Sequence, residues 1–137
     1  MRLLPSILIC LAVMAASCIA EDGPEGKGPI FHVKAAVAVK LLAAKDPAKR
    51  PLVIDIRTAD EFEEGHLEGA RQIDFLSDDF GAELAKLDRN KPYLVHCRSG
   101  GRSSRSLETW KKLGFKKVYH LDGGILAWED AKLPVKK

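Results

Sequence analysis

Residues 93–103 read Tyr-Leu-Val-His-Cys-Arg-Ser-Gly-Gly-Arg-Ser, and this stretch joins three kinds of local sequence in a fixed order. The apolar run 93–96 predicts a buried strand, and Ser103 opens a segment with apolar residues at helical spacing as far as Leu113. Two glycines between them allow the backbone to curl. A strand, a glycine-rich turn and a helix are typical of an α/β sheet, where ligands bind beyond the carboxyl ends of the strands.

The rest of the chain repeats this alternation of strands and helices. The apolar run Leu52–Ile56, with an acid near its end, is typical of a strand buried on both faces. Thr58 and Glu61 form a capping-box pattern that predicts the start of a short helix. Further strands are predicted at 30–32, 70–73 and 117–120, and further helices at 34–44, 77–87 and 125–131. The alternation predicts an α/β fold, doubly wound, with a mostly parallel sheet and helices on both faces.

The first residues differ in composition from the rest of the chain. Residues 1–20 carry one early positive charge, Arg2, followed by an uncharged, mostly apolar run that ends in small residues. This composition is typical of a signal peptide. Cleavage after Ala20 releases a soluble protein, cleavage before Cys18 leaves a lipid-anchored one, and an uncleaved leader just reaches the length of a membrane span. We therefore expect an exported, periplasmic protein that contacts a membrane only through a lipidated Cys18 or a retained leader. Residues 21–28 predict a flexible tether, and residues 29–137 a single domain.

Charge and cysteine content narrow the classes of function. The 137 residues carry a formal charge of +3, with basic residues interspersed among acidic ones, so we expect no nucleic-acid partner. Cleavage after Ala20 removes Cys10 and Cys18 and leaves Cys97 without an intramolecular partner. Because an exported protein with one cysteine cannot use it for an internal disulfide, Cys97 is a candidate reactive group.

The neighbours of Cys97 favour a nucleophile over a buried structural cysteine. Its thiol follows a strand and faces the N-terminus of a helix, and Arg98 and Arg102 add positive potential. The pKa of a free thiol is about 8.5, and electropositive sites of this kind lower it to roughly 3.5–7.5. The sequence therefore predicts a thiolate surrounded by backbone N–H groups. The predicted binding loop consists of Arg98, Ser99, Gly100, Gly101, Arg102 and Ser103.

Four sequence pieces, in order, give the chain a family resemblance. They are residues 53–57 (Val-Ile-Asp-Ile-Arg) with Glu61-Phe62, residues 65–70 (Gly-His-Leu-Glu-Gly-Ala), residues 97–103, and residues 121–124 (Leu-Asp-Gly-Gly) with Trp128. On these pieces the chain resembles the single-domain rhodaneses, a family of sulfurtransferases, over about residues 29–133. It departs from their pattern at Glu68, where rhodaneses commonly carry proline.

The resemblance implies a sulfur-transfer cycle on Cys97. Its thiolate takes sulfane sulfur from a small anionic donor such as thiosulfate, holds it as a persulfide and passes it to cyanide or to a thiol. No cofactor is implied, and we expect a monomer. The loop N–H groups are expected to stabilise the anionic persulfide and the departing sulfite. Arg102 is expected to brace the loop or to contact the donor, and Arg98 or Arg105 to steer anions.

The remaining polar residues are interpreted as structural. We expect Asp55 and Arg57 to make internal polar contacts near the rim of the site, with a catalytic role as the lesser alternative. His66 and His96 are not accompanied by ligands at zinc-like spacing, so we expect no metal. His32 is interpreted as a structural or solvated histidine.

Two other functions remain open. Cys97 and Arg102 resemble the signature of cysteine-dependent phosphatases and arsenate reductases, but those enzymes place five residues between cysteine and arginine, whereas four intervene here. The second alternative is a non-catalytic persulfide carrier or docking module. Comparing turnover with single-turnover sulfur loading separates this carrier from an enzyme.

Overall fold

The structure, a computed structural model, describes residues 23–137. Over these residues the strands are β1 (Ile30–Val33), β2 (Leu52–Asp55), β3 (Arg71–Gln72), β4 (Pro92–His96) and β5 (Lys117–Leu121). The helices are α1 (Ala35–Leu42), α2 (Ala59–Glu64), α3 (Phe80–Ala85), α4 (Gly101–Lys112) and α5 (Gly124–Asp130). The predicted signal peptide, residues 1–20, lies outside the described residues, as do the first two residues of the predicted tether.

The strands form one sheet in the order β1-β5-β4-β2-β3, and every pairing between them is parallel. The chain adds β3 on one side of β2 and β4 on the other, so the direction of winding reverses between β2 and β4. Ligands of such sheets bind beyond the carboxyl ends of the strands at this reversal. The predicted doubly wound α/β fold is confirmed, and the sheet is wholly parallel rather than mostly parallel.

Two apolar cores cover the two faces of the sheet, which confirms helices on both sides. In the first core the buried helix residues are Phe80, Leu84, Leu107 and Trp110, from α3 and α4. In the second they are Ala35, Ala38, Ile125 and Trp128, from α1 and α5. Each large apolar side chain buried in this way contributes roughly 1.5–3 kcal/mol. Among residues 23–137 no helix has both the length and the apolar character needed to cross a membrane.

The helices begin and end where local hydrogen bonds and backbone conformation allow, and these boundaries differ from those predicted from the spacing of apolar residues. The predicted capping box is confirmed, because the Glu61 N–H donates to Thr58 Oγ1 at 3.3 Å and the Thr58 N–H donates to Glu61 Oε2 at 3.0 Å. Helix α3 is shorter than the predicted 77–87, since the Ser77 hydroxyl accepts from the Asp79 N–H in a turn. Helix α4 begins two residues earlier than predicted, because Gly100 adopts φ +105°, a left-handed conformation that favours glycine.

Candidate active site

The sulfur of Cys97 lies at the centre of the loop between β4 and α4. The Gly100 N–H donates to Cys97 Sγ at 3.1 Å, and the Ser103 N–H donates to it at 3.4 Å. The Ser103 hydroxyl lies 3.3 Å from the same sulfur. Cys97 is 1% exposed and is a free thiol. The structure thus brings Cys97, Gly100 and Ser103 together, and it places Arg98 and Ser99 on the exposed rim.

The pKa of the Cys97 thiol lies below its usual value. Burial alone raises this pKa, because a thiolate loses hydration when it leaves water. Hydrogen bonds from the Ser103 hydroxyl and from the N–H groups of Ser103, Gly100 and Arg102 outweigh burial. The N-terminus of α4 adds favourable potential at the same point. The arrangement therefore favours a thiolate that can act as a nucleophile.

Helix α5 supports the loop from behind. The Ile125 N–H donates to the Cys97 carbonyl at 3.0 Å, and the Leu126 N–H donates to the Arg98 carbonyl at 3.1 Å. Gly124 has φ +61°, and a Cβ at this position would collide with the carbonyl groups of Arg98 and Cys97. The sequence interpretation of residues 122–124 as a tight turn missed this contact. The available signal was a pair of glycines directly before a helix, which also indicates a close backbone approach.

Arg102 braces the loop through an ion pair with Glu61. Its two terminal nitrogens donate to the two carboxylate oxygens at 2.8 Å and 2.7 Å, in the bidentate geometry that arginine favours. Of the two predicted roles for Arg102, this contact corresponds to bracing. Arg105 lies one turn along α4, with its guanidinium 5.4 Å from the centre of the Phe75 ring.

Asp55 and Arg57 form a buried ion pair at the carboxyl end of β2. Arg57 donates to both Asp55 oxygens, with a shortest distance of 2.6 Å, and to the Gly65 carbonyl at 2.7 Å. His96 is buried beside them, with Nδ1 2.9 Å from the Cys97 carbonyl oxygen and Nε2 3.7 Å from Asp55 Oδ2. Burial lowers the pKa of His96, which favours the neutral ring. The contacts of all three residues are internal, and none of these hydrogen bonds or ion pairs involves the Cys97 sulfur.

A chain of hydrogen bonds leads from the sulfur towards solvent. Ser103 Oγ lies 2.7 Å from His120 Nε2, and His120 Nδ1 lies 3.0 Å from Asp122 Oδ1. The same oxygen lies 3.0 Å from His32 Nδ1. The sequence interpretation did not place His120 in the site. The available signal was its position on a predicted strand, since parallel strands end at the same edge of the sheet.

Among residues 23–137, one group of three His, Cys, Asp or Glu side chains has its ligand atoms within 4.8 Å of one another, and it consists of His32, His120 and Asp122. Their nearest donor atoms lie 3.0–3.3 Å apart, and every such atom is within hydrogen-bond distance of another member of the group. These distances suit a network in which the Asp122 carboxylate accepts from two imidazoles. We therefore interpret the group as a hydrogen-bonded network.

Comparisons with known proteins agree with this fold. The family described as Rhodanese-like domain matches residues 35–131. The thiosulfate sulfurtransferase GlpE of Shewanella oneidensis is 30% identical over 95 residues, which are 69% of this chain and 92% of GlpE. The probable adenylyltransferase/sulfurtransferase MoeZ of Mycobacterium tuberculosis is 35% identical over 89 residues, which are 65% of this chain. The match spans 23% of MoeZ, so the chain corresponds to less than a quarter of that protein.

The fold also has relatives among solved structures. A rhodanese-related protein of Thermoplasma volcanium gives a TM-score of 0.67 at 26% identity, with 77% of this chain and 96% of that chain covered. The chain belongs to the rhodanese-like domain family, which confirms the resemblance seen in the sequence. Its relatives include proteins named as sulfurtransferases, so the family is one of sulfur transfer.

Proposed function

We propose that the protein is a sulfurtransferase in which Cys97 carries sulfur from a small anionic donor, such as thiosulfate, to cyanide or a thiol. The observation that carries this proposal is the set of donors that converge on one sulfur atom. They are the Gly100 N–H, the Ser103 N–H and the Ser103 hydroxyl, at 3.1–3.4 Å from Cys97 Sγ.

The proposed cycle has two displacement steps. In the first, the Cys97 thiolate attacks the outer sulfur of thiosulfate; a Cys97 S–S bond forms, the S–S bond of thiosulfate breaks, and sulfite leaves with the electron pair. In the second, cyanide or a thiolate attacks the outer sulfur of the persulfide, and Cys97 leaves as a thiolate. A covalent intermediate of this kind predicts ping-pong kinetics. The loop N–H groups stabilise the negative charge that remains on sulfur in both steps.

The size of the loop supports sulfur over phosphoryl chemistry. Four residues separate Cys97 from Arg102, and Arg102 is engaged by Glu61. A cysteine phosphatase needs a wider ring of donors around a tetrahedral oxyanion, and its arginine must be available to that oxyanion. The phosphatase and arsenate reductase alternatives are therefore less well supported than sulfur transfer.

Mass spectrometry of the intact protein after exposure to thiosulfate tests the proposal. We expect a gain of one sulfur atom on Cys97, its removal by cyanide with release of thiocyanate, and no gain in the Cys97→Ser variant. Aryl-phosphate hydrolysis faster than sulfur transfer would contradict this proposal and would support the phosphatase alternative. If Cys97 is loaded with sulfur but shows no steady-state turnover with cyanide or with a thiol, the protein is a persulfide carrier and not an enzyme.

We also propose that the chain is exported to the periplasm, on the composition of residues 1–20. The N-terminal mass of the protein from periplasmic and membrane fractions separates cleavage after Ala20 from lipidation of Cys18. Recovery of the full-length chain from the cytosol alone would overturn export.

A further inference from the structure

We propose that Ser103, His120 and Asp122 form a proton relay that ionises Cys97 and ends at the surface beside His32. The inference rests on the proposed sulfur-transfer function and deepens it, because that function requires a thiolate on Cys97. In this relay the three residues are positioning residues for the nucleophile.

The relay is continuous from the buried sulfur to the exposed edge of the sheet. Its successive distances are 3.3 Å from Cys97 Sγ to Ser103 Oγ, 2.7 Å from Ser103 Oγ to His120 Nε2, and 3.0 Å from His120 Nδ1 to Asp122 Oδ1. Ser103 is 0% exposed and His120 is 3% exposed, whereas the Asp122 side chain is 46% exposed. Burial therefore protects the inner links, and the outer link reaches water.

The hydrogen-bond partners determine which atom donates and which accepts in each link of the relay while Cys97 is still a thiol. A carboxylate only accepts hydrogen bonds, so Asp122 holds the proton on His120 Nδ1. His120 Nε2 then carries the lone pair and accepts from the Ser103 hydroxyl, which in turn accepts from the Cys97 thiol. The Gly100 carbonyl, at 3.2 Å from Ser103 Oγ, is the more distant acceptor for the same hydroxyl.

The charge state of His120 suits a proton acceptor. Burial lowers the pKa of His120, while Asp122 raises it and His32 opposes protonation. The titratable groups around the ring are Asp122 beyond the same strand, His32 on β1, Cys97 after β4 and, in electrostatic reach, His96 on β4. At the outer end, Glu25 and Lys34 line the same opening as His32 and Asp122.

The proposed step moves protons only, with no change in oxidation state. The Cys97 thiol proton passes to Ser103 Oγ as the Ser103 hydroxyl proton passes to His120 Nε2. The products are a thiolate and an imidazolium, so the net charge of the relay is unchanged. The imidazolium then releases its Nδ1 proton to water through the Asp122 carboxylate, which lies 3.0 Å from Nδ1. In the resulting state His120 Nε2–H donates to Ser103, and the Ser103 hydroxyl donates to the thiolate.

A pH titration of the Cys97 thiolate tests the relay without any sulfur donor. A negative result therefore contradicts the relay and leaves the proposed sulfur transfer untouched. The ultraviolet thiolate absorbance of each full-chain variant is followed against pH, with Cys97→Ser as the blank. We expect His120→Gln and Ser103→Ala to raise the apparent pKa of Cys97 by about one unit, a tenfold loss of thiolate below the midpoint. Ser103→Thr restores the hydroxyl and should return the midpoint close to that of the native chain.

His66→Gln is the matched control, since the His66 ring stacks on Phe62 and its Nδ1 contacts the Phe62 carbonyl. Its thiolate titration should coincide with that of the native chain. A His120→Gln midpoint equal to the native one, in a variant folded by circular dichroism, would overturn the relay. A shift in Ser103→Ala alone would also overturn it, because the hydroxyl would then act without His120.

A second measurement needs no substitution in the relay. In the native chain, the His120 ring nitrogens are followed by NMR across the same pH range. Because the thiol and the ring are coupled, we expect the His120 signals and the thiolate absorbance to change in common macroscopic steps. Independent titrations, or a proton on Nε2 at pH values where the thiol is still protonated, would contradict the proposal.

Discussion

The guanidinium of Arg102 donates two hydrogen bonds to the carboxylate of Glu61, at 2.8 Å and 2.7 Å, across 41 residues of sequence. Arg102 lies in the first turn of α4, and Glu61 lies in the first turn of α2, where it also completes the capping box with Thr58. One carboxylate thus caps one helix and holds the first turn of another. The pair therefore ties the first turn of α4, which directly follows the Cys97 loop, to the start of α2.

Arg102→Ala is expected to slow sulfur loading of Cys97 far more than Arg105→Ala. Loss of a bidentate, charge-assisted contact costs on the order of 1.5–3 kcal/mol, which predicts a roughly 10- to 150-fold slower loading if the loop alone bears the cost. Arg105→Ala loses a contact with Phe75, worth about 0.5–1 kcal/mol at an exposed site. Single-turnover loading from thiosulfate measures both rates. Equal, small effects would show that the loop N–H groups suffice without the brace.

Glu61→Gln is expected to destabilise the fold at neutral pH and to match the native chain in acid. The hydrogen bonds from Arg102 lower the pKa of Glu61 to about 2, well below its unfolded value of about 4.3. Because the folded pKa is depressed, the contribution is complete above the unfolded value and disappears as the pH falls towards about 2.

The Glu61 side chain is 25% exposed, so solvent screening reduces the benefit to about 1–2 kcal/mol. Urea unfolding of Glu61→Gln and the native chain at several pH values measures the difference. A gap that stays constant between neutral pH and the acid limit would assign the stabilisation to the cap rather than to the ion pair.

Cys97→Ser is expected to fold and to be inactive in sulfur transfer. The substitution keeps the shape of a side chain that is 1% exposed with only a small loss of volume, and a serine hydroxyl does not ionise in the range where the thiol does. A thiosulfate-to-cyanide assay measures activity, and circular dichroism measures the fold. Turnover close to that of the native chain would refute the persulfide mechanism.

Gly124→Ala is expected to disturb the loop, although this glycine lies outside it. The added Cβ would collide with the carbonyl groups of Cys97 and Arg98, and φ +61° is itself unfavourable for alanine. We expect both a lower melting temperature and slower sulfur loading. The control is Gly81→Ala in α3, where a Cβ meets nothing within 4 Å and alanine favours the helix by roughly 1 kcal/mol. Native loading kinetics in Gly124→Ala would show that the loop tolerates movement of α5.

The features predicted correctly from sequence are those with a local signal. The apolar run in β4 and the capping box of Thr58 and Glu61 involve neighbours in the chain, and both form as expected. The partner of Arg102 had no such signal, because Glu61 already had a local explanation as a helix cap. The signal for His120 was weak, because its position on a predicted strand does not show which residues lie on the next strand. Polar contacts between distant residues depend on the order of strands in the sheet. The sequence does not specify that β5 lies beside β4, which is the arrangement that brings His120 to the Cys97 loop.

Insertion of one glycine between Gly100 and Gly101 is expected to weaken sulfur transfer and to introduce weak aryl-phosphate hydrolysis. The Gly100 N–H lies 3.1 Å from Cys97 Sγ and the Ser103 N–H lies 3.4 Å from it, so the native ring of donors fits one sulfur atom. An extra residue raises the spacing from Cys97 to Arg102 to the five residues of cysteine phosphatases and widens that ring.

Thiosulfate and aryl-phosphate turnover are measured side by side on the native chain and on the insertion variant. A second variant, with the glycine inserted after Gly69 in an exposed turn, controls for the cost of lengthening the chain, since a Cβ at Gly69 meets nothing within 4 Å. We expect this control to keep native sulfur transfer, because Gly69 lies outside the loop. If the native chain already hydrolyses phosphate esters faster than it transfers sulfur, loop length does not select the chemistry. The donors at Cys97 would then serve an oxyanion rather than a persulfide.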